Sequence, residues 1–145
     1  GVAILASKRS KDPNTQVGAC IVDNNNIILS TGYNGFPFVV SDDDYPWCRD
    51  GEDTSTAMWY TPSLMLYLMQ EGKNLKAQGC IVDLFPCNEC AKAIIQSGIA
   101  EVVYLYDKYA DSAATVASKR MLQSAGVVCR KFTSDKKSLS IDFEK

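Results

Sequence analysis

Cys80-Ile81-Val82-Asp83-Leu84-Phe85-Pro86-Cys87-Asn88-Glu89-Cys90 is the stretch on which the fold turns. Its first half is a short apolar run bounded by turn residues, the pattern of a buried strand. The second half opens an amphipathic segment, Ala91-Lys92-Ala93-Ile94-Ile95-Gln96-Ser97-Gly98, that reads as a helix ending at glycine. Strand, proline turn and helix follow one another, with two thiols in the first helical turn. Cysteines at i and i+3 lie on one helical face, close enough to share a metal ion. A helix N-terminus also lowers a thiol's pKa and so favours the thiolate that binds metal. By itself Cys-x-x-Cys is open between a metal site, a redox pair and coincidence. Its place at a strand–proline–helix junction favours metal.

The same alternation of elements continues on both sides. Upstream, Val2–Ser7 has helical composition and runs into a turn at Asp12-Pro13-Asn14. Val17–Val22 and Ile27–Thr31 read as two strands joined by Asp23-Asn24-Asn25-Asn26, a hairpin connection that tolerates positive φ. Downstream come a strand at Glu101–Leu105, a loop at Asp107-Lys108-Tyr109, a helix from Ser112 to Ser124 stopping at Gly126, and a strand at Val127–Phe132. A hairpin followed by strand–helix–strand–helix–strand predicts parallel pairing with right-handed crossovers. The expected class is α/β, a three-layer α/β/α sandwich around a mixed sheet of about five strands.

Length and composition narrow the role. A chain of 145 residues with 46% hydrophobic content fills one core, so residues 1–145 are read as one domain. Gly1–Lys8 looks like the tail of a helix trimmed at its start. A net charge of −2 offers no electrostatic case for duplex nucleic acid. No apolar run approaches a membrane span. Cys20, Cys80 and Cys129, half of the six cysteines, stand in apolar, strand-like contexts suited to free buried thiols. A reduced compartment, cytoplasmic or nuclear, follows.

Between the hairpin and Cys80 the sequence is less regular. Gly32-Tyr33-Asn34-Gly35-Phe36-Pro37 reads either as a tight turn or as a loop that presents Asn34 to a ligand. Residues 38–59 are polar and acidic without periodicity. Trp47 and Trp59 there are read as packing anchors, and Cys48 is left unassigned. Thr61-Pro62-Ser63-Leu64-Met65-Leu66-Tyr67-Leu68-Met69-Gln70 starts well as a helix, with Thr61 as N-cap and Pro62 at the first position. Its body is apolar nearly all round, unusual for a helix covering one face of a sheet.

Together these blocks resemble a deoxycytidylate (dCMP) deaminase of the cytidine deaminase superfamily. The resemblance is carried by Ser10–Ala19, by Gly32–Pro37, by Leu84–Cys90, and by Ile99–Tyr104 with Asp107-Lys108-Tyr109. It implies a zinc-dependent hydrolase that converts dCMP to dUMP for thymidylate synthesis. It also implies a homo-oligomer, often a hexamer, regulated by dCTP and dTTP. By the same resemblance Cys87 and Cys90 are zinc ligands, Asn34 and Tyr109 contact the nucleotide, and Phe85 and Pro86 line the pocket.

One segment departs from that pattern. Counting back from Phe85, the family's His-Ala-Glu falls on Thr61-Pro62-Ser63, and the chain contains no histidine at all. The chemistry needs a third zinc ligand that leaves a water position open, and a carboxylate that shuttles protons. Thr61 is a poor ligand, and Ser63, at the general acid/base position, cannot buffer a proton near neutrality. Taken literally the chain is expected to bind zinc weakly and not to deaminate, a pseudoenzyme or regulatory subunit being the alternative reading.

The lost resemblance is a block of consecutive residues, not scattered drift, and a neighbouring reading frame accounts for it. The last base of the Tyr60 codon with the first two of Thr61 can spell His. Thr61 into Pro62 gives Ala, and Pro62 into Ser63 can give Glu. Leu64 into Met65 can give Asn, Met65 into Leu66 gives Ala, and Leu66 into Tyr67 can give Ile. Upstream, Thr54 into Ser55 can give Lys and Ser55 into Thr56 can give Tyr. The hidden text is His-Ala-Glu-x-Asn-Ala-Ile. A compensated frameshift over about residues 54–67 is the expected origin.

Overall fold

The computed structural model describes residues 1–36, 41, 47 and 78–142. In chain order these form α1 (Val2–Ser7), β1 (Gly18–Val22), β2 (Ile28–Tyr33), β3 (Gly79–Leu84), α2 (Asn88–Gln96), β4 (Glu101–Tyr106), α3 (Ala113–Ser124) and β5 (Val128–Lys131). The expected excursion at 38–59, apart from Ser41 and Trp47, and the apolar helix expected from Thr61 lie outside the described residues.

The strands make one five-stranded sheet in the order β2-β1-β3-β4-β5. The hairpin partners β1 and β2 are antiparallel, β1 and β3 are antiparallel, and β3, β4 and β5 run parallel. The mixed sheet and its class are those the sequence predicts. Asn26 takes φ 61° in the hairpin turn, the conformation its amide side chain tolerates.

Alternation along the strands sorts side chains onto two faces. Ala19, Ile21, Cys80, Val82 and Val102 face α2 and α3, where Ala91, Ile94 and Leu122 complete the larger core. Ile94 and Leu122 have no exposed surface. Burying each such side chain stabilises the fold by roughly 1.5–3 kcal/mol. Cys20 and Val22 face the other way, with Ala3 of α1 and the partly buried Ile81. Helices therefore cover both faces of the sheet.

Gly18 sets how closely α1 can approach. A Cβ there would collide with the Ala3 carbonyl oxygen and the Ser7 amide, so only glycine fits. The Gly18 N–H donates to Asp83 Oδ1 at 3.0 Å, tying β1 to β3 beneath the helix. Burial pushes the Asp83 carboxyl above its ordinary value, with that hydrogen bond working against the shift. α3 is capped by Ser112, whose side chain accepts from the Thr115 amide at 3.2 Å. Gly126 at φ 75° follows the helix end, as its sequence position anticipates.

Three expectations need correction. Cys129 is exposed, because β5 is an edge strand and all four of its residues face solvent. Cys20 and Cys80 are buried free thiols as expected. Gly32 and Tyr33 belong to β2, paired with Ala19 and Gly18, so the loop begins only at Asn34. Cys87 is the N-cap of α2 in extended conformation, and only Cys90 lies within the helix.

Candidate functional site

The β3–α2 junction carries the thiols because Phe85 and Pro86 end the strand and turn the chain into the helix. The Phe85 amide donates to the Tyr106 carbonyl at 2.8 Å, holding the turn to the end of β4. The Phe85 ring meets Tyr104 edge-on at 4.8 Å, and Lys119 Nζ stands 5.4 Å from the Phe85 centroid. The Cys87 carbonyl accepts the first bond of α2, from Ala91 at 2.9 Å.

The two thiols are electrostatically unlike. Cys87 is lowered to about 6, chiefly because the Cys90 thiol donates to it, helped by the Cys90 and Glu89 backbone amides and opposed by burial. Cys90 is raised well above its ordinary value, because it is the donor of that bond and is almost wholly buried. Cys87 is thus the thiolate of the pair.

Beside these thiols lies a cavity of about 400 Å³. Asn34, Phe85, Pro86, Cys87, Cys90 and Tyr109 all line it. The structure therefore brings together the described candidate residues from three separate segments of the chain, while Thr61 and Ser63 lie outside the described residues. Glu89 is the single carboxylate among the described lining residues, and it is tied to Lys92 at 2.8 Å. A larger, open cavity of about 730 Å³ lies against α1, with lysines and aspartates in its lining, but none of those six residues lines it. The smaller cavity is the candidate site because it holds the thiols.

Asn34 is buried and bonded on every side. Its Oδ1 accepts from the Val17 amide at 2.7 Å, and its Nδ2 donates to Asp12 Oδ2 at 3.0 Å and to the Thr15 carbonyl at 2.9 Å. Tyr109 shares a hydrogen bond of 2.8 Å with Thr15 Oγ1. Its turn is held from below by Lys119, which donates to Asp107 Oδ2 at 2.7 Å. The expected packing role of Trp47 matches its contact with Phe36 at 4.5 Å between centroids. The sequence reading passed over Asp12 and Thr15. The signal was there, since Asp-Pro-Asn-Thr places an aspartate before a turn whose amides it can accept.

The donor set does not complete a zinc centre. Cys87 and Cys90 are the soft ligands zinc takes, yet a catalytic site needs three protein ligands and an open position. Among the described residues no group of three or more histidines, cysteines or carboxylates is placed to hold a metal. The sequence has no histidine to add.

A helix-terminal thiol pair beside a cavity, following the central strand of a mixed five-stranded sheet, is the arrangement of the zinc-dependent base deaminases. Residues 1–106 match the family described as the cytidine and deoxycytidylate deaminase zinc-binding region. A deoxycytidylate deaminase from Mus musculus is 47% identical over 146 residues, covering 99% of this chain and 82% of the relative. A probable deoxycytidylate deaminase from Drosophila melanogaster is 46% identical over 151 residues, covering 98% and 74%. Among solved structures, dCMP deaminase of the cyanophage S-TIM5, crystallised with dCMP and dUMP, superposes with a TM-score of 0.66 at 27% identity and 90% coverage of each chain. The chain belongs to the cytidine and deoxycytidylate deaminase family.

Proposed function

We propose that this polypeptide binds deoxycytidine monophosphate in the 400 Å³ cavity but, as written, does not deaminate it. The reading is carried by one contrast. The cavity collects the residues that the resemblance assigns to the nucleotide, and the chain has no histidine to complete zinc. The deoxycytidylate deaminases among its relatives support the ligand class. Phe85 and Pro86 offer the base an apolar wall. The Tyr109 hydroxyl offers a polar atom at the wall, Asn34 shapes that wall through its bonds to Asp12, Thr15 and Val17, and Cys87 with Cys90 holds zinc weakly. Ser63, at the general acid/base position by the resemblance, does not shuttle a proton near neutral pH.

The reading extends to a homo-oligomer, a hexamer in the family's manner, responding to dCTP and dTTP. A cytoplasmic or nuclear setting goes with it. No helix among the described residues is long and apolar enough to cross a membrane. The compensated frameshift over residues 54–67 accounts for the lost segment, either in the gene or in the written chain.

Calorimetry with dCMP, zinc analysis and a turnover assay on one preparation test this together. Binding with zinc well below one per chain and no dUMP formed is the expected result. Stoichiometric zinc with rapid turnover would overturn it and would indict the written sequence, which an intact mass then checks. Thermal shifts with dCTP and dTTP test the effector part, since a ligand of the folded state raises its melting temperature.

A further inference from the structure

Nothing in the cavity itself explains why residues 10–17 are so heavily bonded. Asp12 is only 3% exposed. Its Oδ1 accepts from the amides of Asn14 at 2.7 Å and Thr15 at 3.2 Å, and its Oδ2 accepts from Asn34 Nδ2. Its own amide donates to Ser10 Oγ at 3.2 Å, and Gln16 Nε2 closes the turn on the Ser10 carbonyl at 2.6 Å. A buried carboxylate survives only with its oxygens satisfied, and here it is satisfied by the turn it organises. Asn34, just past the end of β2, grips the same turn through Asp12, the Thr15 carbonyl and the Val17 amide. The free end of this arrangement is Thr15 Oγ1, which meets the Tyr109 hydroxyl at 2.8 Å across 94 positions of sequence.

We propose that Asp12 and Thr15 are positioning residues that, through the Asn34-clamped turn, fix the Tyr109 ring on the wall of the nucleotide cavity. Neither residue lines that cavity. Their effect reaches the ligand through Tyr109. The Tyr109 turn is also joined to its own side of the fold, through the Ser112 amide on the Tyr109 carbonyl at 3.0 Å and the Lys119–Asp107 pair. The Thr15 bond ties it to the opposite rim. Asn34 then has a second duty beside any ligand contact, since losing its amide releases the turn that holds Tyr109. The ligand part of the inference rests on the reading that the cavity takes dCMP.

The test compares Thr15→Val, which keeps the shape and removes the hydroxyl, with Thr15→Ser, which restores it. Amide hydrogen exchange over residues 107–112 reads the contact without ligand, and calorimetry reads dCMP affinity. Thr15→Val is expected to speed exchange there and weaken dCMP roughly tenfold, the scale of one hydrogen bond. Thr15→Ser returns both toward wild type, and adding Tyr109→Phe to Thr15→Val costs little more, as coupled residues behave. Asp12→Asn is expected to show the same exchange signature, and Thr15→Val carries the test if that variant does not fold. Unchanged exchange and affinity in Thr15→Val, alongside weakened binding in Tyr109→Phe, would overturn the positioning role and leave the functional reading intact. Faster exchange in Thr15→Val, in a protein whose wild type does not bind dCMP, upholds the contact and overturns the functional reading instead.

Discussion

Two halves of one site differ sharply in this chain. The half contributed by Asn34, Phe85–Cys90 and Tyr109 is present in sequence and converges on a single cavity. The half that falls on Thr61–Ser63 lacks the donor types its chemistry requires. On the proposed function the first half holds the ligand and the second carries the chemistry, so the two can be separated by experiment. A nucleotide pocket can persist without catalysis because burial and hydrogen bonding keep it in shape, whereas a zinc-bound water and a proton shuttle depend on two particular side chains.

The largest expected effect comes from rewriting the second half. Replacing residues 54–67 with the neighbouring-frame text is expected to restore dCMP turnover by several orders of magnitude, the scale enzymes reach over uncatalysed rates. Thr61→His with Ser63→Glu alone is expected to leave turnover near background in the same assay. On the frameshift reading the residues around those two positions do not encode an active-site helix, and a site needs its supporting shell. Full rescue by the double substitution would break the comparison at its root.

A mid-sized effect probes how the first half is mounted. Gly18→Ala forces a methyl into the Ala3 carbonyl and the Ser7 amide. Chemical denaturation is expected to show a loss of about 1–3 kcal/mol, the usual cost of overpacking. A neutral result would mean that α1 does not hold this end of the sheet.

Thiol chemistry sharpens the contrast between site and core. Cys80 and Cys87 are seven positions apart in sequence. Burial pushes Cys80 up to about 12, while Cys90 and two amides pull Cys87 down to about 6. In zinc-free protein, alkylation of Cys87 should rise with a midpoint near its pKa of about 6 while Cys80 stays inert. Linkage gives the sign of each contribution to stability. The depressed Cys87 stabilises the fold above its ordinary value of 9.0, and this is lost as pH falls toward 6. Cys80 works the other way, being neutral in the fold between 9.0 and 12 where the unfolded thiol ionises, so stability falls as pH rises through that window. Cys80→Ala should flatten the alkaline limb of the melting curve.

The smallest effect is expected at the surface. Arg130 of the edge strand β5 and Glu101 of its neighbour β4 meet at 2.9 Å, with more than a third of each side chain exposed. Arg130→Ala is expected to change stability by about 0–1 kcal/mol in the same denaturation assay, given solvent screening.

Much of this was readable from the chain. The strand–proline–helix junction at Leu84–Cys90, the hairpin and the parallel crossovers follow from periodicity and turn residues, which act locally. The Asp12 turn itself was readable locally, but its clamping by Asn34 and its bond to Tyr109 were not, because those bonds cross 17 to 94 positions and depend on where the strands bring them. Asn34 was legible as a loop amide, but its burial was not, since β2 runs further than its composition suggests. Cys129 misled for a related reason, as an apolar strand pattern does not say which strand lies at the edge.

Zinc content and dCMP turnover, measured on protein whose intact mass matches the 145-residue chain, separate a present holding half from an absent reacting half. Well below one zinc per chain and no dUMP above background are expected, with dCMP still raising the melting temperature. One zinc per chain with sustained turnover, at the matching mass, would mean that the reacting half is present.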